Sequence, residues 1–161
     1  MHSTTDRFNA NFTCKFCGIY VTSHSVVSGV NHRNHCPNCL YSRHLDLYQA
    51  GDRLCACKGM MAPVGLTTKK VSDKYNQNTS GELMLVHYCI DCGAFSINRI
   101  AADDDNLKLI ATFKNNLLNK TSFMHREKLK DIEFLGEEDR QMLQSGLFGS
   151  TCVTRPEHVC A

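Results

Sequence analysis

Two Cys-x-x-Cys pairs, Cys14/Cys17 and Cys36/Cys39, constrain this chain more than any other feature, because eighteen residues separate them. That interval falls inside the spacing expected of a structural zinc site. Thiolates bind Zn²⁺ at ~2.3 Å in a tetrahedron, and four protein ligands close the site to chemistry. Cys57, Cys89 and Cys92 supply three ligands for a second ion. Its fourth ligand is Cys55 or His44, with His87 behind them. Cys55 and Cys57 would share one face of a strand, since side chains alternate along it. Cys39 to Cys55 also fits a zinc-site window, so a cross-braced pairing stays open. Two zinc ions are the expected cofactors.

Metal is expected rather than disulfide. The start of the chain carries no apolar segment of the secretory kind. No apolar run reaches the ~20 residues that span a membrane. A reducing cytoplasm is the resulting expectation, and there cysteine pairs read as metal ligands. The cysteine-bearing region is short and the chain has no tryptophan. So short a region rarely stabilises itself without staples. Cys152 and Cys160 match no such spacing and are expected to be free thiols.

The second cysteine pair sits in the run Arg33-Asn34-His35-Cys36-Pro37, followed by Cys39. Around it stand Phe12-Thr13-Cys14-Lys15-Phe16-Cys17-Gly18, Gly51-Asp52-Arg53 and Cys57-Lys58-Gly59. Further on come Cys89-x-x-Cys92-Gly93, Asn98-Arg99-Ile100-Ala101 and Asp104-Asp105-Asn106. In these blocks, from about Phe12 to Asn106, the chain resembles the RNHCP domain family. The resemblance implies zinc binding and no established activity. It also implies that the position of Cys55 often lacks a cysteine, which puts His44 about level with Cys55 as the fourth ligand.

The expected fold is a small mainly-β zinc-ribbon-like domain, with two zinc-clamped ribbons and a C-terminal helical extension. A polar tail at 1–11 precedes the RNHCP domain at 12–106; the helical extension takes 107–146 and a disordered tail 147–161. Ile19–Thr22 reads as a strand, with Val26, Val27 and Val30 as its hairpin partner. Residues 40–47 are open between a helical turn and an extended arm. Pro63 marks an edge strand or bulge. Residues 72–81 form a polar loop. Residues 83–88 and 95–100 form a strand and its return. Leu107 to Leu118 shows helical spacing, capped by Asp105 or Asn106, and a weaker helix at 137–143 stops at Gly146.

Function is less legible. Lys plus Arg total 18 against 16 for Asp plus Glu, a net charge of +2. That balance argues against non-specific binding to DNA, which calls for a basic stripe. The favoured reading is a binding module for RNA or a ribonucleoprotein particle such as the ribosome. Arg33, Arg43, Arg53 and Arg99 are the candidate phosphate contacts, although each could equally pair with a carboxylate such as Asp46, Asp52 or the Asp103 run. His35 is expected to support the first metal by hydrogen bonding. An enzyme of the HNH nuclease kind is the alternative, drawing on His24, His32, His35, His44, Asn34 and Asp46. It would need a histidine base and a hard-metal site. No residue is assigned a catalytic role. A zinc-stabilised protein–protein adaptor is the third reading. Neither a membrane nor a small-molecule substrate is indicated.

Overall fold

The largely apolar run at 83–88 becomes the interior of a four-stranded antiparallel sheet in the computed structural model, which describes residues 11–69, 81–119 and 132–149. Its strands are β3 (Ser42–Arg43), β4 (Met60–Lys69), β5 (Glu82–Cys89) and β6 (Phe95–Arg99), hydrogen-bonded in that order. Residues Met84 to His87 are all buried, as expected of a strand covered on both faces. A two-stranded ribbon of β1 (Phe12–Thr13) and β2 (Tyr20–Val21) precedes the sheet. The fold is mainly β with helices at its C-terminal end. Among the described residues, no helix is long and apolar enough to cross a membrane.

Two local expectations change, and one open choice is decided. The partner of β2 is β1, and Ser25–Ser28 instead form one helical turn, α1. His24 caps it by accepting the Val26 N–H at Nδ1, and Gly29 ends it at φ 69°. Residues 42–43 are extended, which decides between the two options for 40–47. The last helix, α3 (Arg140–Phe148), follows a 3-10 turn at Glu137–Asp139 and runs through Gly146. A side chain at 146 would collide with Leu83, so this glycine permits close packing instead of stopping the helix. Pro63 does sit at a bulge, where the β4–β5 register shifts between Pro63 and Gly65.

The C-terminal helices build the core. Helix α2 (Asn106–Leu118) starts at Asp105, whose side chain accepts the N–H groups of Leu107 and Lys108. Its buried Leu109 and Phe113 join Leu40, Leu66, Leu85, Leu135 and Leu143 in one cluster. Burying each such side chain contributes about 1.5–3 kcal/mol. The Leu135 N–H donates to the Leu66 carbonyl at 2.8 Å, which pins the segment after α2 to β4. A separate small cluster, Cys14, Val21 and Cys36, lies at the cysteine-rich end. The polar stretches expected at 1–11 and 72–81 lie almost wholly outside the described residues, as do Cys152 and Cys160.

Candidate metal centres

Eight donors fall into two sets of four. Cys14, Cys17, Cys36 and Cys39 form one, and His44, Cys57, Cys89 and Cys92 the other, with the donor atoms of each set all within 4.8 Å of one another. In the first, Cys14 Sγ lies 3.5 Å from Cys39 Sγ, and Cys17 Sγ lies 3.6 Å from Cys36 Sγ. In the second, Cys57 Sγ is 3.7 Å from Cys89 Sγ, and Cys92 Sγ is 3.2 Å from His44 Nδ1. A disulfide would hold its sulfurs at ~2.05 Å. Sulfurs at ~2.3 Å from a shared tetrahedral ion stand about 3.8 Å apart, so the spacing fits a metal. The pairing is sequential, not cross-braced.

One turn, used four times, positions these donors. The residue before the first ligand pairs across an antiparallel bridge with the residue three after the second ligand. Those bridges are Thr13↔Tyr20, His35↔Ser42, Arg43↔Met60 and Tyr88↔Phe95. The first ligand donates its backbone N–H to the carbonyl two residues past the second ligand. Cys14 donates to Ile19 (2.8 Å), Cys36 to Tyr41 (3.0 Å), Cys89 to Ala94 (2.8 Å) and His44 to Gly59 (2.9 Å). The residue following the second ligand is left-handed at Gly18, Leu40, Lys58 and Gly93. The second ligand's sulfur then accepts an N–H from the residue two further on: Ile19, Tyr41, Gly59 or Ala94. Such N–H groups stabilise thiolates.

This repetition explains the fourth ligand of the second set. Cys57-Lys58-Gly59 is the closing half of a turn whose opening ligand should stand three positions earlier, where the chain has Leu54. Cys55 is only two away, out of register. His44 takes the opening position across an excursion of residues 45–56. Cys55 is buried but stands outside the set of four, with its N–H on the Leu45 carbonyl. The out-of-register spacing was the signal in the sequence that pointed away from Cys55. His87 is no ligand either. It is fully buried, Nε2 donates to the Leu40 carbonyl at 2.7 Å, and Nδ1 accepts from Asn98 at 2.9 Å. Burial first, then the neighbouring His35, hold it well below the ordinary imidazole value, at about 3.

The electrostatics of the thiols differ within a set. The Ile19 N–H draws the Cys17 thiol down to about 6, while burial pushes Cys36 up to about 11. Close thiols in a dry site resist carrying charge together, and a cation relieves that conflict. The first set has Cys14 and Cys36 buried; in the second, Cys57 and Cys92 are exposed.

Three of the four candidate arginines are paired with carboxylates. Arg33 has no exposed side-chain surface, and its guanidinium lies 2.8 Å from Asp103 and 3.1 Å from Asp104. Its Nε donates to the His35 carbonyl. His35 Nε2 donates to the same Asp104 at 2.8 Å, so it supports the site through a carboxylate and not a thiolate. Asp103 to Asp105 are thus structural: Asp104 is buried and Asp105 caps α2. Asn34 donates to Asp46 and accepts from Arg53, and Arg53 also lies 3.6 Å from Asp46. Arg99 pairs with Glu82 at 3.0 Å. Arg43 alone of the four meets no described carboxylate; its guanidinium reaches the Lys58 carbonyl. Three of the four histidines of the nuclease reading are likewise engaged: His24 in a cap, His35 with Asp104, His44 in the metal set.

A mainly-β scaffold carrying two donor tetrads on paired hairpin turns defines a small metal-binding module. The chain belongs to the RNHCP domain family, whose model matches residues 9–110. No curated protein and no solved structure matches the chain.

Proposed function

We propose that this chain is a zinc-held binding module that docks on RNA or a ribonucleoprotein particle in a reducing compartment. The observation that carries the first half is the closed donor set. Each tetrad offers four protein ligands and leaves no position for a substrate, which is the mark of a structural site. Thiolate-rich tetrahedral sets select zinc or iron over hard cations, and the histidine in the second set favours zinc. RNA as the partner rests on the analogy with other zinc ribbons, not on the metal chemistry. Elemental analysis of the freshly purified, reduced protein should give two zinc ions per chain; one ion, or the absorbance of an iron–thiolate centre, would refute the assignment.

One observation favours a protein partner instead. Asp52 accepts the N–H groups of Leu54, Leu47, Gln49 and Tyr48, which holds the 45–56 excursion in shape. That loop leaves Leu47, Tyr48 and Leu54 exposed, Tyr48 by 84%. Such a patch suits a protein surface. Co-purification with and without ribonuclease separates the two readings. Partners lost on ribonuclease treatment support RNA, and a single protein retained supports the adaptor.

A further inference from the structure

We infer that the face of the first metal turn beside β3 is a landing site for a single-stranded stretch of RNA. One base would stack on Phe16, and the flanking phosphates would sit on Lys15, Arg43 and Lys58. This deepens the RNA reading above and rests on it. Phe16 and Tyr41 stack face to face, with ring centroids 3.7 Å apart and an interplanar angle of 5°. Both rings are fixed by the same centre, since Phe16 lies between two ligands and Tyr41 follows Cys39 by two. Tyr41 covers one face of the Phe16 ring, yet Phe16 remains 53% exposed, so its other face meets solvent. An aromatic face held rigid by metal ligands is a stacking platform of the kind that binds unpaired bases.

Charge complementarity selects the occupant. The recess beside Phe16 and Tyr41 is lined by Lys15, Arg43 and Lys58, and by no carboxylate. None of the three pairs with a described carboxylate, and Arg43 Nε is buried without a partner. Asp91, packed against Gly59, belongs to the tip of the other metal turn and does not line the recess. An apolar peptide would use the rings and leave three cations unmatched, whereas a nucleotide uses both. The competing account is that Lys15 and Lys58, each next to a ligand cysteine, offset the negative charge of the thiolate sets. The test below separates them.

The zinc-loaded full chain is titrated against fluorescent ten-residue oligouridylate and oligothymidylate over a salt series. Phe16→Leu keeps an apolar side chain against Tyr41 and removes the π face. It should weaken oligouridylate binding about tenfold, the loss of one stacked base. Lys15→Gln with Lys58→Gln should lower the salt slope by roughly one to one and a half, at about 0.7 per phosphate contact. Both variants should retain two zinc ions. If the wild type binds and both variants bind equally well with the same slope, this surface is wrong while the RNA reading stands. If the wild type binds neither strand, the RNA reading falls as well, and the metal content still judges the zinc module. Loss of zinc from the lysine variant would assign the cations to the thiolates. A tenfold preference for oligothymidylate would overturn RNA as the occupant.

Discussion

The Arg33 guanidinium lies 3.1 Å from the Asp104 carboxylate, 71 positions along the chain, and both side chains are fully out of water. His35 shares that carboxylate, and the Asp104 side chain also accepts the Ala101 N–H at 2.8 Å. The Asp105 N–H donates to the Pro37 carbonyl at 3.0 Å. The run from Arg33 to Pro37 therefore ties the first metal centre to the start of α2. These residues are internal fasteners, not a solvent-facing site.

Breaking that pair should be costly. Asp104→Ala leaves a buried guanidinium without one of its two carboxylates, and leaves His35 without its partner. Removing one member of a buried ion pair typically costs about 3–5 kcal/mol. Urea unfolding followed by circular dichroism checks this, and a loss under ~1 kcal/mol would mean that water or Asp103 takes over the role.

His44 and Cys55 should respond oppositely to substitution. His44→Ala removes the opening ligand of the second set, so the zinc content should fall from two ions to one. Cys55→Ser leaves all eight donors in place and should retain both. Metal analysis after dialysis against a mild chelator reads the difference. Two ions in His44→Ala and one in Cys55→Ser would reverse the assignment.

Helix α2 should behave as core. Phe113 is 2% exposed and packs in the cluster with Leu66 and Leu85. Phe113→Ala should cost about 3–5 kcal/mol, the usual penalty for emptying an aromatic core position. A helix that merely follows the domain would tolerate the change, with the unfolding midpoint unmoved.

His87 should make stability fall with acid. Its folded value is depressed from 6.5 to about 3, so between those limits the unfolded chain binds the extra proton. Stability is then fully present above pH ~6.5 and declines as pH falls towards ~3. Between pH 6.5 and 5.5 the loss is about 1 kcal/mol at most. His87→Asn should flatten this segment of the profile, provided metal analysis shows both ions retained at each pH. An unchanged slope in the variant would assign the acid sensitivity to other groups.

Much of this protein is written locally. Cysteines three apart followed by glycine announce hairpin turns, because only a tight turn can aim both sulfurs at one ion. The apolar run at 83–88 and the alternation at 95–100 announce paired strands, since residues two apart on a strand share one face. Asp105 announces a helix start through its own short-range hydrogen bonds. Tertiary structure decided what depends on residues far apart in the chain. His44 replaced Cys55 because the bridge between Arg43 and Met60 brings position 44 to the mouth of the Cys57 turn, across an excursion whose length no local rule sets. Arg33, which sequence alone offers equally to phosphate or carboxylate, was claimed by Asp103 and Asp104 once the sheet folded back. A charged side chain has no intrinsic periodicity or turn preference that reveals its partner. Only the fold, by removing water from the pair, fixes which opposite charge it meets.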